Sequence, residues 1–395
     1  MTASEPIVVV GAARTPMGGF QGELAGATAA RLGAAAIEAA LSRAGVEPGR
    51  VDELLMGCVL PAGQGQAPAR QAGFAAGLPK EVPATTLNKM CGSGMKTVMV
   101  AHDQLRAGGG PVVVAGGMES MTNAPYLVPK MRSGARLGHA EMKDHMFLDG
   151  LEDAYETGRL MGSFAEDCAE RYQFTREQQD EYAIASLEGA LGAQKDGSFD
   201  AEIAPVTMET RKGAVTVSTD EQPRTARPDK IPSLRPAFRR DGTITPANAS
   251  SISDGAAALV LMREGEAERA GLAPRARILG HVSHAQEPGW FTTAPIPAMR
   301  RVLERVGWTA EDVDLWEINE AFAVVPMAAS VELGIPREKL NIRGGACALG
   351  HPIGASGARI LVTLLHALEQ TGGRRGVASL CIGGGEGTAV AVERV

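Results

Sequence analysis

A chain of 395 residues, 44% of them hydrophobic and 22% charged, is too long for one ordinary core and predicts a globular protein of two or three subdomains. Its formal net charge of -7 excludes a nucleic-acid binder built on a basic face, although local cations and helix N-termini can still hold a phosphate. The five cysteines, Cys58, Cys91, Cys168, Cys347 and Cys381, are odd in number and irregular in spacing, which fits neither a disulfide framework nor a tetrahedral metal site and suggests reduced thiols in the cytoplasm.

The opening MTASEPIVVVGAART carries no basic leader, and its short apolar run predicts a first buried strand instead of a signal peptide. No segment approaches the ~20 apolar residues of a membrane span. A helix is expected over 28–44, with Thr28 as N-cap and Gly45 as the stop. Later come the strand-like VVVAGG at 112–117, ALVLM at 258–262, and GVASLCIGGG followed by TAVAVERV at the end of the chain. These runs do not alternate, as suits strands covered on both faces, and their interleaving with alanine-rich helical stretches marks an α/β fold.

A weak internal repeat organises the chain. VDELLMGCV at 51–59 resembles VDLWEINEAF at 313–322, and CGSGMKTVMVAHDQL resembles GHPIGASGARILVTLLHAL. Each is followed by a strand, ending in AGGMES or CIGGGEG. Two similar halves, 1–122 with 247–270 and 271–395, are therefore expected to pack as one pseudo-symmetric unit. Residues 123–246 read as an inserted loop domain with binding function, or as a solvated structural insertion.

Five positions could carry chemistry. Cys91, in NKMCGSGM, stands at a strand-to-helix junction where the helix dipole favours thiolate, although a lone cysteine is more often a small core residue. His351, in a glycine-flanked loop, suits proton acceptance from a thiol, or simply caps the loop. Cys381 lies at a strand's carboxyl end, where ligand sites gather, or is inert and buried. Asn319 could hold a water or donate to an oxyanion, or cap a helix, and Glu320 could orient a neighbouring histidine or asparagine. GAARTPMGG does not match the GxGxxG dinucleotide fingerprint.

The blocks NKMCGSGM, VVVAGGMES, NASSISDGAAAL, INEAFA, GGACALGHPIGASG and CIGGGEG, in this order over nearly the whole chain, strongly resemble the thiolase family. The resemblance implies a five-layer α/β/α/β/α fold and reversible acyl transfer between coenzyme A thioesters, with acetoacetyl-CoA leading and longer or branched 3-ketoacyl-CoA as the alternative. It makes Cys91 the acyl-accepting nucleophile, His351 its base, and Cys381 the acid/base at the α-carbon. One oxyanion pocket would come from the N–H groups of Cys91 and Gly383, another from His351 and a water held by Asn319. Coenzyme A, a substrate and not a cofactor, would meet Arg224 or its competitor Arg227, then Leu234, Phe238 and Ser250, with Met161 and Phe291 near the acyl group. No metal, nucleic acid or membrane is implied. Family members are usually dimers or tetramers, and the segment 121–139, with Lys130, Arg132 and Arg136, could serve tetramer contacts or CoA phosphates.

Leu160, Phe291, Arg343 and Cys347 depart from the usual family wording and bear on the acyl pocket. A binding-only relative would be expected to lose a cysteine or the histidine, and condensing enzymes that work on carrier proteins generally lack the second cysteine.

Overall fold

β1 (Ile7–Arg14) is buried at all 8 positions, as a strand covered on both faces requires. The computed structural model describes residues 5–211 and 213–395; the leader reading of residues 1–4 lies outside the described residues, whereas the buried strand after them is observed. α1 (Ala29–Ala44) begins where the Thr28 side chain accepts from the Arg31 N–H and stops at Gly45, whose φ of 65° is left-handed, the two caps read from the sequence. The first half continues with β2 (Glu53–Gly57), α2 (Pro68–Ala75), β3 (Ala84–Leu87), α3 (Ser93–Arg106) and β4 (Val112–Ser120). Next come α4 (Met161–Tyr172) and α5 (Arg176–Lys195), the latter opened by a capping box between Thr175 and Gln178. After β5 (Ser253–Arg263), the second half holds β6 (Ala276–Ala285), α6 (Pro295–Val306), β7 (Leu315–Ile318), α7 (Val324–Leu333), α8 (Ser356–Thr371), β8 (Arg375–Ile382) and β9 (Glu386–Arg394).

These strands form one sheet in the order β7-β8-β9-β6-β1-β5-β4-β2-β3. β2 runs parallel to β3 and β4, and β7 parallel to β8, while the inner strands pair antiparallel. Between β1 and β6 the pairing is short: Ile7 with Ile278, Val8 with Arg277 and Val9 with Ala276. α1 and α2 cover the outer face of the first half, and α6 and α7 the outer face of the second. α3 and α8 pack against each other between the two halves, which gives the five-layer order.

The repeat is visible in this arrangement, since β2 and β7, α3 and α8, and β4 and β8 occupy matching places. The central helices approach closely at two glycines. A Cβ on Gly94 would lie 2.8 Å from Ala358 N, and one on Gly357 would lie 2.4 Å from Met95 N, so neither position admits a larger residue. α4 buries Phe164 and Cys168 in the same apolar cluster as Phe322 and Cys381, and so the insertion packs directly on the second half.

Candidate active site

Cys91 occupies the turn between β3 and α3. The turn is strained, because Met90 adopts a left-handed φ of 47°, a conformation that costs a non-glycine residue roughly 1 kcal/mol or more. Local bonds hold it there: Asn88 Oδ1 accepts from Met90 N–H at 2.9 Å, and Ser93 Oγ accepts from Lys89 N–H at 2.8 Å and donates to Met90 O at 2.7 Å. Lys89 also forms an ion pair with Glu386 at the start of β9. Gly92 is pressed on the end of β8, where a Cβ would meet Ile382 Cδ1 at 2.4 Å. The backbone N–H groups of Gly383 and of Cys91 itself both act to lower the Cys91 thiol. Cys381 lies close enough to Cys91 to interact electrostatically with it, so both thiols and Gly383 share one place.

The thiolate expected from the helix dipole is not the resting state. Burial pushes the Cys91 thiol up to about 11, against the lowering by the Gly383 and Cys91 N–H groups, and Glu119 raises it further. Burial also drives Cys381 well above its ordinary value, with the neighbouring Cys91 adding to the rise. Desolvation outweighs the helix end here, and both thiols are protonated near neutral pH. A base is therefore needed.

His351 has the form of one. Its Nδ1 lies 2.5 Å from Ser356 Oγ, which itself donates to Pro352 O at 3.0 Å. With the serine proton committed, Nδ1 carries the ring N–H and donates to Oγ, which leaves the lone pair on Nε2. That Nε2 is buried and meets no protein partner among the described residues. Burial, and then the charge of Arg359, pushes the imidazole down to about 3, so it stays neutral and able to accept. The loop is laid against the nucleophile's helix: the carbonyls of Gly354 and Ala355 lie 3.0 and 3.1 Å from where a Gly94 Cβ would stand.

Asn319 follows β7 and donates its N–H to Ser379 O in β8 at 3.0 Å. It caps no helix, since α7 starts at Val324 behind Ala323. Both Nδ2 and Oδ1 of its side chain are buried with no protein partner among the described residues. Unpartnered buried amides are uncommon and mark positions that serve something other than the fold. Glu320 does not orient His351 or Asn319. It accepts from Tyr182 Oη at 3.0 Å, Ser186 Oγ at 2.7 Å, Asn341 Nδ2 at 2.9 Å and Cys347 N–H at 3.1 Å, and so it fixes α5 and the turn before Cys347. Segment 248–251 links the two loops: Ser250 N–H donates to Ala321 O at 2.9 Å, and Ser251 O accepts from His351 N–H at 3.1 Å.

Around the thiols lie apolar groups. Met161 Sδ stands 3.6 Å from where a Cβ on Gly383 would sit. Phe291 is buried edge-on to Phe164 at 6.2 Å, and Phe238 meets Phe322 edge-on at 6.1 Å. Nearby, a groove of about 310 Å³ is lined by Leu234, Ala247, Cys347 and Ala348, with Arg227 and Lys230 among its exposed residues. Arg224 does not line it, and pairs with Glu23 at 2.6 Å. Of the two arginines weighed from the sequence, Arg227 is the one beside Leu234. Ser250 is half-buried.

Sequence reasoning missed Ser356 and Glu119. For Glu119 a signal existed, because a carboxylate inside the apolar VVVAGGMES strand is costly to bury without a purpose. Ser356 has none beyond its place at a helix start.

Two neighbouring thiols, a backbone N–H acting on one of them and a neutral imidazole with a free nitrogen are the groups that acyl transfer through a cysteine thioester requires. Residues 7–265 match the family model of the thiolase N-terminal domain and 272–394 that of the thiolase C-terminal domain, and the chain belongs to the thiolase family. It is similar to the acetyl-CoA acetyltransferase of Cupriavidus necator, 51% identical over 390 residues that cover 98% of this chain and 99% of that protein. The cytosolic acetyl-CoA acetyltransferase of Mus musculus is 49% identical over 394 residues, covering 99% of each. The crystal structure of the Bacillus anthracis acetyl-CoA acetyltransferase superposes with a TM-score of 0.97 at 43% identity, over 100% of both chains.

Proposed function

We propose that this protein is an acetyl-CoA C-acetyltransferase, converting two acetyl-CoA into acetoacetyl-CoA and CoA, and the reverse, through an acyl-cysteine. The observation that carries the reading is the Cys91 turn pressed on the end of β8, Gly92 against Ile382 and Cys381 near Cys91, in a chain about half identical to relatives of that name.

His351 Nε2 takes the Cys91 proton as the sulfur attacks the thioester carbonyl. The N–H groups of Cys91 and Gly383 stabilise the oxyanion, and CoA leaves with the proton of Cys381. The Cys381 thiolate then removes an α-proton from a second acetyl-CoA. Its enolate oxygen is held by the protonated His351 and by a water on Asn319. The carbanion attacks the acyl-cysteine, and His351 returns its proton to Cys91. The route requires no metal or cofactor, with CoA as substrate and product.

Arg227 and Lys230 are assigned to the CoA phosphates, and Leu234, Phe238 and Ser250 to the pantetheine arm. Met161 and Phe291 close the acyl end. We place the protein in the cytoplasm as a homo-oligomer. The outward Tyr126, Met131, Leu137 and Met142 are apolar and exposed and supply a contact surface. Among the described residues no helix is long and apolar enough to cross a membrane. A thiolysis assay across 3-ketoacyl-CoA chain lengths tests the reading: the four-carbon substrate should give the highest kcat/KM, and no turnover of any member would end it.

A further inference from the structure

One fully buried carboxylate in the α3 side of the molecule has no part in that mechanism. Glu119, at the end of β4, accepts from Val59 N–H at 2.9 Å and Gly354 N–H at 2.9 Å through Oε2, and from Leu60 N–H at 3.1 Å through Oε1. The Cys58 thiol lies 3.4 Å from Oε1. Val59 and Leu60 belong to the loop after β2, and Gly354 to the loop that carries His351. A Cβ on Gly354 would stand 2.5 Å from Oε2, so the contact is as close as backbone allows.

Resting on the assignment of Cys91 and His351 as nucleophile and base, we propose that Glu119 is a positioning residue: its single carboxylate clamps the His351 loop to the loop after β2 and to β4, and so fixes the imidazole relative to the Cys91 turn. The chemistry favours a carboxylate over any other side chain. Four donors converge on two oxygens, and only an acceptor-only group serves all four. A glutamine would turn its NH2 toward at least one N–H, whichever way the amide lay. Burial pushes the Glu119 carboxyl up to about 7, so ionising it here costs free energy that these donors only partly offset. Its charge also reaches Cys91. Cys381 from β8 lies near that thiol, and Lys89 of the same turn pairs with Glu386 of β9.

The test uses the full-length enzyme with Glu119→Gln and Glu119→Asp. Glutamine removes the charge and mispairs the donors; aspartate keeps the charge and falls short of them. Both should lower kcat by about 10- to 100-fold, the loss expected from a misplaced catalytic group, with KM little changed. Iodoacetamide alkylation of Cys91, followed by mass spectrometry without substrate, should move to lower pH in Glu119→Gln only, because removing a negative charge eases thiolate formation. A folded variant of either kind with wild-type kcat overturns the proposal, as does an unshifted alkylation profile in Glu119→Gln. Should Glu119→Gln not fold, the kcat of Glu119→Asp decides. Failure of the parent reading is distinguishable, since wild-type protein would then form no acyl-Cys91 from acetoacetyl-CoA.

Discussion

The backbone N–H of Gly383 lowers the thiol of Cys91, which couples the turn after β8 in one half to the turn before the central helix of the other. It gives the two cysteines separable roles. Cys91→Ala should abolish the acyl-enzyme, read as the loss of a mass increment after acetoacetyl-CoA is added. Cys381→Ala should still acylate but fail to exchange the methyl protons of acetyl-CoA for deuterium. Retained condensation in either variant would count against the roles.

Ser356 holds His351 in the tautomer that leaves Nε2 free. Ser356→Ala strands the ring N–H in a buried site, and kcat should fall by about 10- to 100-fold, as for loss of a group that orients a catalytic side chain. Asn319→Ala removes an amide that the fold does not use, so thermal stability should hold while kcat drops by about 10²- to 10³-fold. A stability loss without a rate loss would mark Asn319 as structural.

The stability profile with pH follows from three buried groups. His351 is pushed from 6.5 down to about 3; the unfolded chain binds this proton first, so its contribution is full above pH 6.5 and is lost as pH falls toward 3. Burial raises Glu119 to about 7 and Glu317 to about 8 from 4.5. Here the folded state keeps the proton longer, so stability declines as pH rises from 4.5 through 7 and 8. Arg359 stands 3.6 Å from Glu317. Glu317→Gln copies the protonated carboxyl that wild type holds below about pH 8, so the two proteins should be alike in stability near pH 5, and the variant should gain on wild type between pH 5 and pH 8 in urea melts by on the order of 1 kcal/mol. A pH-independent difference would contradict the raised carboxyl.

Arg227→Ala should raise KM for CoA by about fivefold at low ionic strength and less at high salt, as screening weakens an exposed cation's pull on phosphate. Arg224→Ala should leave KM nearly unchanged, because its exposed pair with Glu23 contributes only about 0–1 kcal/mol. A reversed order would move the phosphate site to Arg224.

Local signals were legible where one segment decides its own shape. Thr28 and Gly45 bracket α1 as read, and the position of Cys91 before α3 follows from its glycines. The matched halves were legible too, because the same pattern recurs at β2 and β7. What escaped reading depends on distant partners. Glu320 looked like an orienter of its neighbours, yet its donors come from α5 and from Asn341. Glu119 reaches Gly354 of the other half, whereas Ser356 meets His351 within its own loop, through a bend that no residue pattern announces. The ionisation of Cys91 was misjudged because a turn reveals its helix end, whereas the depth of burial is set by both halves together.

The three residue pairs that join β1 to β6 make the two β layers neighbours in a single hydrogen-bonded ribbon. Such a ribbon offers no seam along which two lobes could rock apart, so the body should melt as a single cooperative unit and stay rigid during turnover. Any substrate must then fit the Cys91 turn as it stands, since neither half can swing aside to admit it.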